Sequence, residues 1–363
     1  MLREGQVRIP SGCAISGVMN RKGQRFSGET IIKSIQMMHT RSNGLGGGFA
    51  AYGIYPQYKD CYAFHIFYDK QEAKAATEEF LNKYFDIESA GKIPVRDHPR
   101  IKHAPMIWRY FLMPKSFRML QLESNEAEFI AKGVIHVNSN IDGAYVFSSG
   151  KNMGAFKAVG FPEDVGEYYM LENYEAYLWT AHGRFPTNTP GWWGGAHPFT
   201  LLDWSTVHNG EISSYDANKR YIEMFGYKCN LMTDTEAITY LVDFIVRKQG
   251  HSLETAAAIM AAPFWDEIDA MDEEDKKRYT ALRTVYGSML VNGPFSIIIG
   301  FNGGFMALND RLKLRPLVAA EKDDMTYVAS EECAIRAICE EPDKVWAPRG
   351  GEPVIVRLEE SAR

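Results

Sequence analysis

Ser11-Gly12-Cys13-Ala14-Ile15-Ser16-Gly17 is the stretch on which the reading of the fold turns. A cysteine stands between small residues and opens an apolar run. Free cysteine is among the most buried residue types, so one reading is an inert thiol at the head of a β-strand over 14–19. The other is a nucleophile that becomes the mature N-terminus once residues 1–12 are removed. What the rest of the chain supplies around this thiol decides between them.

A chain of 363 residues can bury one large core or two ordinary ones. Hydrophobic residues make up 45% and charged residues 24%, which describes a globular and not a disordered protein. Aromatics at 13% fit a thick, β-rich core. The net charge of -6 leaves no basic footprint, so nucleic acid is not expected as a partner. Five cysteines with no CxxC argue against a disulfide framework and against structural zinc, and make a reducing cytoplasm the expected setting. No stretch approaches the ~20 apolar residues of a membrane span. Residues 1–12, MLREGQVRIPSG, lack the apolar centre of a secretory signal. They read as a frayed terminus or as a propeptide.

Outward from Cys13, apolar residues at helical spacing predict a helix over 29–38, with Ser27 as its cap. The glycine-dense stretch 41–48 is a loop. Residues 49–55 and 61–68 look like paired strands. Residues 70–135 read as an insertion: a helix over 70–85, then a proline-broken stretch mixing basic and aromatic residues. Strand patterns resume over 134–147 and 157–160. Helices are expected over 215–226, 234–248 (capped by Thr233 or Asp234) and most of 252–290. Strands follow at 295–301, 304–308 and 326–329, then a helix after Ser330 and a last strand at 353–358. Strands at both ends with helices between them predict sheets packed on each other under helices, a layered α+β domain.

Two motifs are decoys. Gly46-x-Gly48-x-x-Ala51 matches a relaxed dinucleotide fingerprint, but it precedes a strand-like run where a helix is required. Cys333 and Cys339 stand six apart, which is no metal-ligand spacing, and read as core. Three stretches carry more: Ala181-His182-Gly183-Arg184-Phe185-Pro186-Thr187-Asn188-Thr189, Ala196-His197-Pro198-Phe199 and Val207-His208-Asn209-Gly210-Glu211-Ile212, followed by Met232-Thr233-Asp234-Thr235-Glu236. Singly, each has an ordinary explanation: a surface charge, a loop, a hairpin turn or a helix cap. Their order after Cys13 does not look accidental.

With these motifs in this order, residues 13–68 and 134–358 resemble class II glutamine amidotransferases, which are N-terminal-nucleophile hydrolases. Asn309-Asp310-Arg311-Leu312-Lys313-Leu314-Arg315-Pro316-Leu317 and Ala329-Ser330-Glu331-Glu332-Cys333-Ala334-Ile335 look like the late segments of the glutamate synthase and amidophosphoribosyltransferase members. The stand-alone amidotransferase subunits related to glutamate synthase are the most similar. The resemblance implies a four-layer αββα sandwich of two antiparallel sheets over 13–358, with the insertion at about 70–135 and a candidate propeptide at 1–12. It implies Cys13 as nucleophile and its own α-amine as base, which requires cleavage after Gly12. It implies Asn209 and Gly210 as oxyanion donors. Arg184 would bind the α-carboxylate of L-glutamine, Asp234 its α-ammonium, and Thr187 and His197 would line the pocket.

The chemistry suits these residue types. A thiolate is the best side-chain nucleophile near neutral pH. Donors set in place for an oxyanion are each worth ~10²–10³ in rate, and a guanidinium fork matches a carboxylate. The chain departs from the family in having Ala14 where glycine usually follows the nucleophile, and Phe185 where many members have tryptophan. Nothing in the sequence looks like a synthase or flavin domain. The expectation is a glutaminase that needs no cofactor of its own and whose ammonia acceptor lies on another chain; the resemblance implies that this partner is a glutamate-synthase-type subunit carrying FMN. A glutamine-binding scaffold that keeps residues 1–12, and another N-terminal-nucleophile amidohydrolase, remain open alternatives.

Overall fold

Strand β1 (Ala14–Asn20) is buried along its whole length, and its side chains divide between two cores. Ile15 and Met19 point one way, Ala14 and Val18 the other, as the period of two requires. A strand buried on both faces must be covered twice, and that sets the layers. The computed structural model describes residues 12–185 and 191–360.

The first sheet has seven strands. Their order is β17 (Lys344–Trp346), β15 (Val318–Lys322), β16 (Met325–Ala329), β1, β10 (Leu178–Gly183), β3 (Gly47–Tyr52) and β8 (Met153–Ala158). The second has five: β11 (Phe199–Leu201), β12 (Trp204–Gly210), β13 (Phe295–Phe301), β14 (Gly304–Asn309) and β18 (Val354–Arg357). Every neighbouring pair is antiparallel. The sheets face each other across Ile15, Met19, Ala50, Val207, Ile298 and Ala307.

Helix α1 (Glu29–Gln36) covers the outer face of the first sheet with α5 (Pro162–Tyr168) and α11 (Glu332–Arg336). Ile31, Ile35 and Val165 pack there on Val18, Phe49 and Trp179. On the outer face of the second sheet, Ile238 and Leu241 of α7 (Asp234–Val242) and Ile259 of α8 (Leu253–Met260) meet Ile297, Ile299 and Leu308. The result is the αββα sandwich.

Segment 70–135 supplies α2 (Gln71–Tyr84), β5 (Phe85–Lys92), β6 (Met106–Pro114), α3 (Ser116–Gln121) and most of α4 (Glu126–Asn140). Its two strands join β4 (Tyr62–Tyr68) and β7 (Ala144–Ser148) in a third sheet, ordered β5-β6-β4-β7.

Four local expectations change. Residues 49–55 and 61–68 do not pair: β3 lies between β10 and β8, while β4 lies between β6 and β7. The loop between them contains Gly53 at φ +80° and a short 3₁₀ turn at Pro56–Tyr58, and it carries the chain from one sheet to the other. Residues 134–140 end a helix and do not start a strand. Asn125 caps that helix by accepting the Glu128 N–H, and its buried stripe of Phe129, Ile130, Gly133, Val134 and Val137 has helical period. Gly28, not Ser27, occupies the cap position of α1, although the Ser27 hydroxyl accepts the Glu29 N–H. Cys339 is buried as expected, but Cys333 is exposed, on the solvent side of the one-turn α11.

Candidate functional site

Side-chain parity places the nucleophile candidate. Cys13 precedes β1 in step with Ile15, so its thiol faces the gap between the two sheets. Asn209, next to last in β12, is in step with Val207 and meets that gap from the opposite sheet. The Phe185 N–H donates to the Cys13 Sγ at 3.2 Å. A Cβ on Gly12, whose φ is +134°, would stand 3.8 Å from Asn209 Oδ1 and 3.2 Å from the Arg315 guanidinium. Burial pushes the Cys13 thiol above its ordinary pKa. The Phe185 N–H and Arg184 oppose this, Asp234 adds to it, and Arg315 opposes it.

Each partner is itself held. Asn209 is fully buried, and its Nδ2 donates to Ser330 Oγ at 3.3 Å. That leaves its second N–H for another acceptor. Gly210 has φ +152°, and a Cβ there would collide with the Pro294 carbonyl and lie 2.8 Å from Phe295 Cα. Only glycine fits this turn out of the sheet. The backbone of Arg184 is fixed on both sides, its N–H donating to Gly46 O at 2.8 Å and its carbonyl accepting the Ser42 hydroxyl at 3.0 Å. Its side chain is 6% exposed, and its charge is felt at both Cys13 and His197.

Asp234 opens α7, where the helix N-terminus favours a carboxylate, and Thr233 caps that helix by accepting the Thr235 N–H. Asp234 Oδ2 accepts the Ile212 N–H at 3.0 Å, and Oδ1 accepts the Thr235 hydroxyl at 3.1 Å. The His208 Nδ1 is 3.4 Å from the same Oδ1. Burial works against ionisation of Asp234, but the His208 ring and these donors hold its carboxyl below the ordinary value.

His197 bridges this network. The His208 N–H donates to His197 Nδ1 at 3.4 Å, so the proton of the neutral ring sits on Nε2, 3.3 Å from the Thr235 hydroxyl. Burial and the neighbouring His182 and Arg184 push the His197 pKa well down, which keeps the ring neutral near pH 7. The His182 ring lies against it, tilted by 33°, with ring centroids 3.9 Å apart. Burial lowers the pKa of His182 to about 3.

Cys13, Arg184, His197, Asn209, Gly210 and Asp234 thus converge on one site at the rim of the inter-sheet gap. Thr187 lies outside the described residues. Sequence reasoning left out the supporting groups. Ser330 holds Asn209 and also accepts the Ile15 N–H at 3.1 Å. Arg41 donates to the Cys13 carbonyl at 3.2 Å and pairs with Glu331 at 2.8 Å. His208 and Thr235 belong to the quoted motifs but were given no role of their own. Among the described residues no cluster of His, Cys, Asp or Glu is arranged to hold a metal, and no helix is long and apolar enough to cross a membrane.

Residues 91–345 match the family model for class-II glutamine amidotransferases. An uncharacterized protein of Archaeoglobus fulgidus is 54% identical over 349 residues, covering 95% of this chain and 92% of its own length. A candidate glutamine amidotransferase of Methanothermobacter thermautotrophicus is 27% identical over 333 residues, covering 90% and 93%. The amidophosphoribosyltransferase of Methanocaldococcus jannaschii is 26% identical over 222 residues, covering 58% of this chain and 41% of that one.

Proposed function

We propose, for a chain that belongs to the class-II glutamine amidotransferases, that it hydrolyses glutamine to glutamate and ammonia with Cys13 as the nucleophile. The observation that carries this reading is the setting of the thiol. The Phe185 N–H meets the sulfur at 3.2 Å, and the charges of Arg184 and Asp234 both reach it. A guanidinium and a carboxylate beside one nucleophile complement the two charged ends of an amino acid.

The sulfur attacks the side-chain amide carbon, and the free N–H of Asn209 with the Gly210 N–H receives the oxyanion. The C–N bond breaks, the nitrogen takes a proton and leaves as ammonia, and a thioester remains. Water then adds, the C–S bond breaks, and glutamate leaves with the thiol restored. Burial raises the thiol pKa, so the sulfur needs a base close by. The α-amine of Cys13, with an ordinary pKa of roughly 8, serves once the Gly12–Cys13 bond is cut. Arg184 binds the substrate carboxylate, Asp234 the ammonium, and Thr187 and His197 line the pocket. The ammonia goes to a partner chain, a glutamate-synthase-type subunit carrying FMN, as the likeness of segments 309–317 and 329–335 suggests.

N-terminal sequencing of the purified chain, with glutamate release measured for wild type and Cys13→Ala, tests this. The expected result is a chain that begins at Cys13, releases glutamate, and loses that activity in the variant. A chain that keeps Met1 and turns over glutamine equally well in the variant would sink the reading. Equal turnover of amides lacking the α-carboxylate would favour another amidohydrolase, and glutamine binding without turnover a scaffold. The acceptor is tested separately, by conversion of isotope-labelled 2-oxoglutarate to labelled glutamate when glutamine, the FMN subunit and an electron donor that reduces its flavin are added.

A further inference from the structure

Lys157 is fully buried in β8, a position where an amino group is costly unless its N–H groups find partners. It has three partners. The amino group donates to the Gly194 carbonyl at 2.9 Å, to the Pro198 carbonyl at 3.3 Å and to the Tyr145 hydroxyl at 3.3 Å. The rings of Phe199 and Tyr145 lie 4.6 and 4.9 Å from it and add cation–π attraction. Burial pushes the amino group well below the ordinary lysine pKa; Glu236 opposes this through space, without a hydrogen bond to it, and Arg184 adds to it.

The two carbonyls bracket His197. Its ring packs on His182 and reaches Thr235, so the span from 194 to 198 forms a wall of the site. Gly48, the cross-strand partner of Lys157 in β3, lies against the same span: a Cβ there would collide with the His197 carbonyl. One neighbour makes room for the backbone of this span and the other fastens it at both ends. A methionine would fill the same volume without the burial cost of an amine, so the lysine earns its place through what its N–H groups hold.

We propose that Lys157 is a positioning residue that fastens the 194–198 span at the Gly194 and Pro198 carbonyls and so holds His197 in the glutamine pocket. This rests on reading the site as a glutamine pocket. Without the staple, substrate binding has to order the span itself, and that cost falls on affinity before it falls on chemistry.

The test compares wild type with Lys157→Met in the full-length chain, by glutamine kinetics and by hydrogen–deuterium exchange. The expected result is a KM for glutamine raised roughly tenfold with kcat within about threefold. Exchange should be faster in peptides covering 191–198 and unchanged in β8. A KM and an exchange pattern like those of wild type would overturn the proposal. So would a KM rise without faster exchange, or faster exchange with an unchanged KM. If Lys157→Met does not fold, Lys157→Gln is read the same way: its shorter amide reaches at most one carbonyl, and a wild-type KM and exchange pattern in it count against the staple. If wild type itself does not turn over glutamine, the functional reading fails, and the exchange of 191–198 alone decides whether Lys157 holds the span.

Discussion

Asn209 Nδ2 donates to Ser330 Oγ at 3.3 Å, and the same oxygen accepts the Ile15 N–H at 3.1 Å. One hydroxyl therefore links the end of β12 in one sheet to β1 in the other, two residues from Cys13. The Ser330 N–H also donates to the Ile15 carbonyl at 2.9 Å, so the link is reciprocal. The distance between the proposed nucleophile and the proposed oxyanion donor is set by this tie across the inter-sheet gap.

Ser330→Ala removes the tie but leaves both catalytic groups in place. We expect kcat to fall roughly tenfold, less than the ~10²–10³ expected for Asn209→Ala, because a displaced donor still finds the oxyanion part of the time. Stability should drop by about 1–3 kcal/mol, since the Ile15 N–H is left buried without its acceptor. Steady-state kinetics and urea unfolding on both variants check this. A kcat equal to that of wild type would show that Asn209 does not depend on Ser330.

Arg184→Lys keeps the charge and loses the fork. The backbone of residue 184 is pinned by Gly46 and Ser42, so the shorter-reaching ammonium cannot shift to compensate. The contact with the substrate carboxylate exists in ground and transition states alike. The expected outcome is a KM for glutamine raised about tenfold or more, with a smaller change in kcat. An unchanged KM would remove Arg184 from substrate binding.

Local pattern showed strands at both ends of the chain and helices between them, hence sheets packed under helices, and the four-layer sandwich came with the resemblance that the motif order carries. The same resemblance gave Cys13, Arg184, Asn209 and Asp234 their expected roles, since each motif taken singly has an ordinary explanation. What local pattern did not show was long-range pairing. Nothing in Phe49–Tyr55 or Cys61–Tyr68 states that β3 and β4 lie in different sheets, because both runs are equally apolar. The supporting residues were hidden for the same reason. Arg41 lies in a glycine-rich loop and Ser330 more than 300 residues from Ile15, and only the folded chain brings them to Cys13.

Gly210→Ala tests the turn that carries the oxyanion site out of β12. The added methyl would collide with the Pro294 carbonyl and approach His208 Nε2 at 2.9 Å, at φ +152°, where L-residues are strained. We expect a stability loss of roughly 2–4 kcal/mol and a kcat reduced by about 10² or more. Gly226→Ala is the control: its φ is +89°, but nothing lies within 4 Å of the new methyl, so it should cost only about 1 kcal/mol and leave kcat alone. Equal effects from the two substitutions would mean that backbone strain, and not the site, explains the Gly210 result.

Glu236, two residues after Asp234 in α7, makes stability depend on pH. Burial pushes its carboxyl up to about 7, against the pull of the Leu231 N–H and the Tyr240 hydroxyl. The folded state therefore holds a proton that the unfolded chain releases at an ordinary carboxylate pKa near 4.5. The contribution is fully present below pH 4.5 and is lost as pH rises through about 7, a span worth about 3 kcal/mol. Asp203, pushed up to about 6 by burial, acts in the same direction. The buried neutral rings of His65 and His182, both lowered to about 3, act in the opposite one, so the overall curve mixes signs. Glu236→Gln isolates the single group. The difference in unfolding free energy between variant and wild type should shift by about 3 kcal/mol between pH 5 and pH 8, in favour of the variant at the higher pH. Urea titrations at the two pH values measure it, and a difference that stays constant would place the Glu236 proton outside the folding equilibrium.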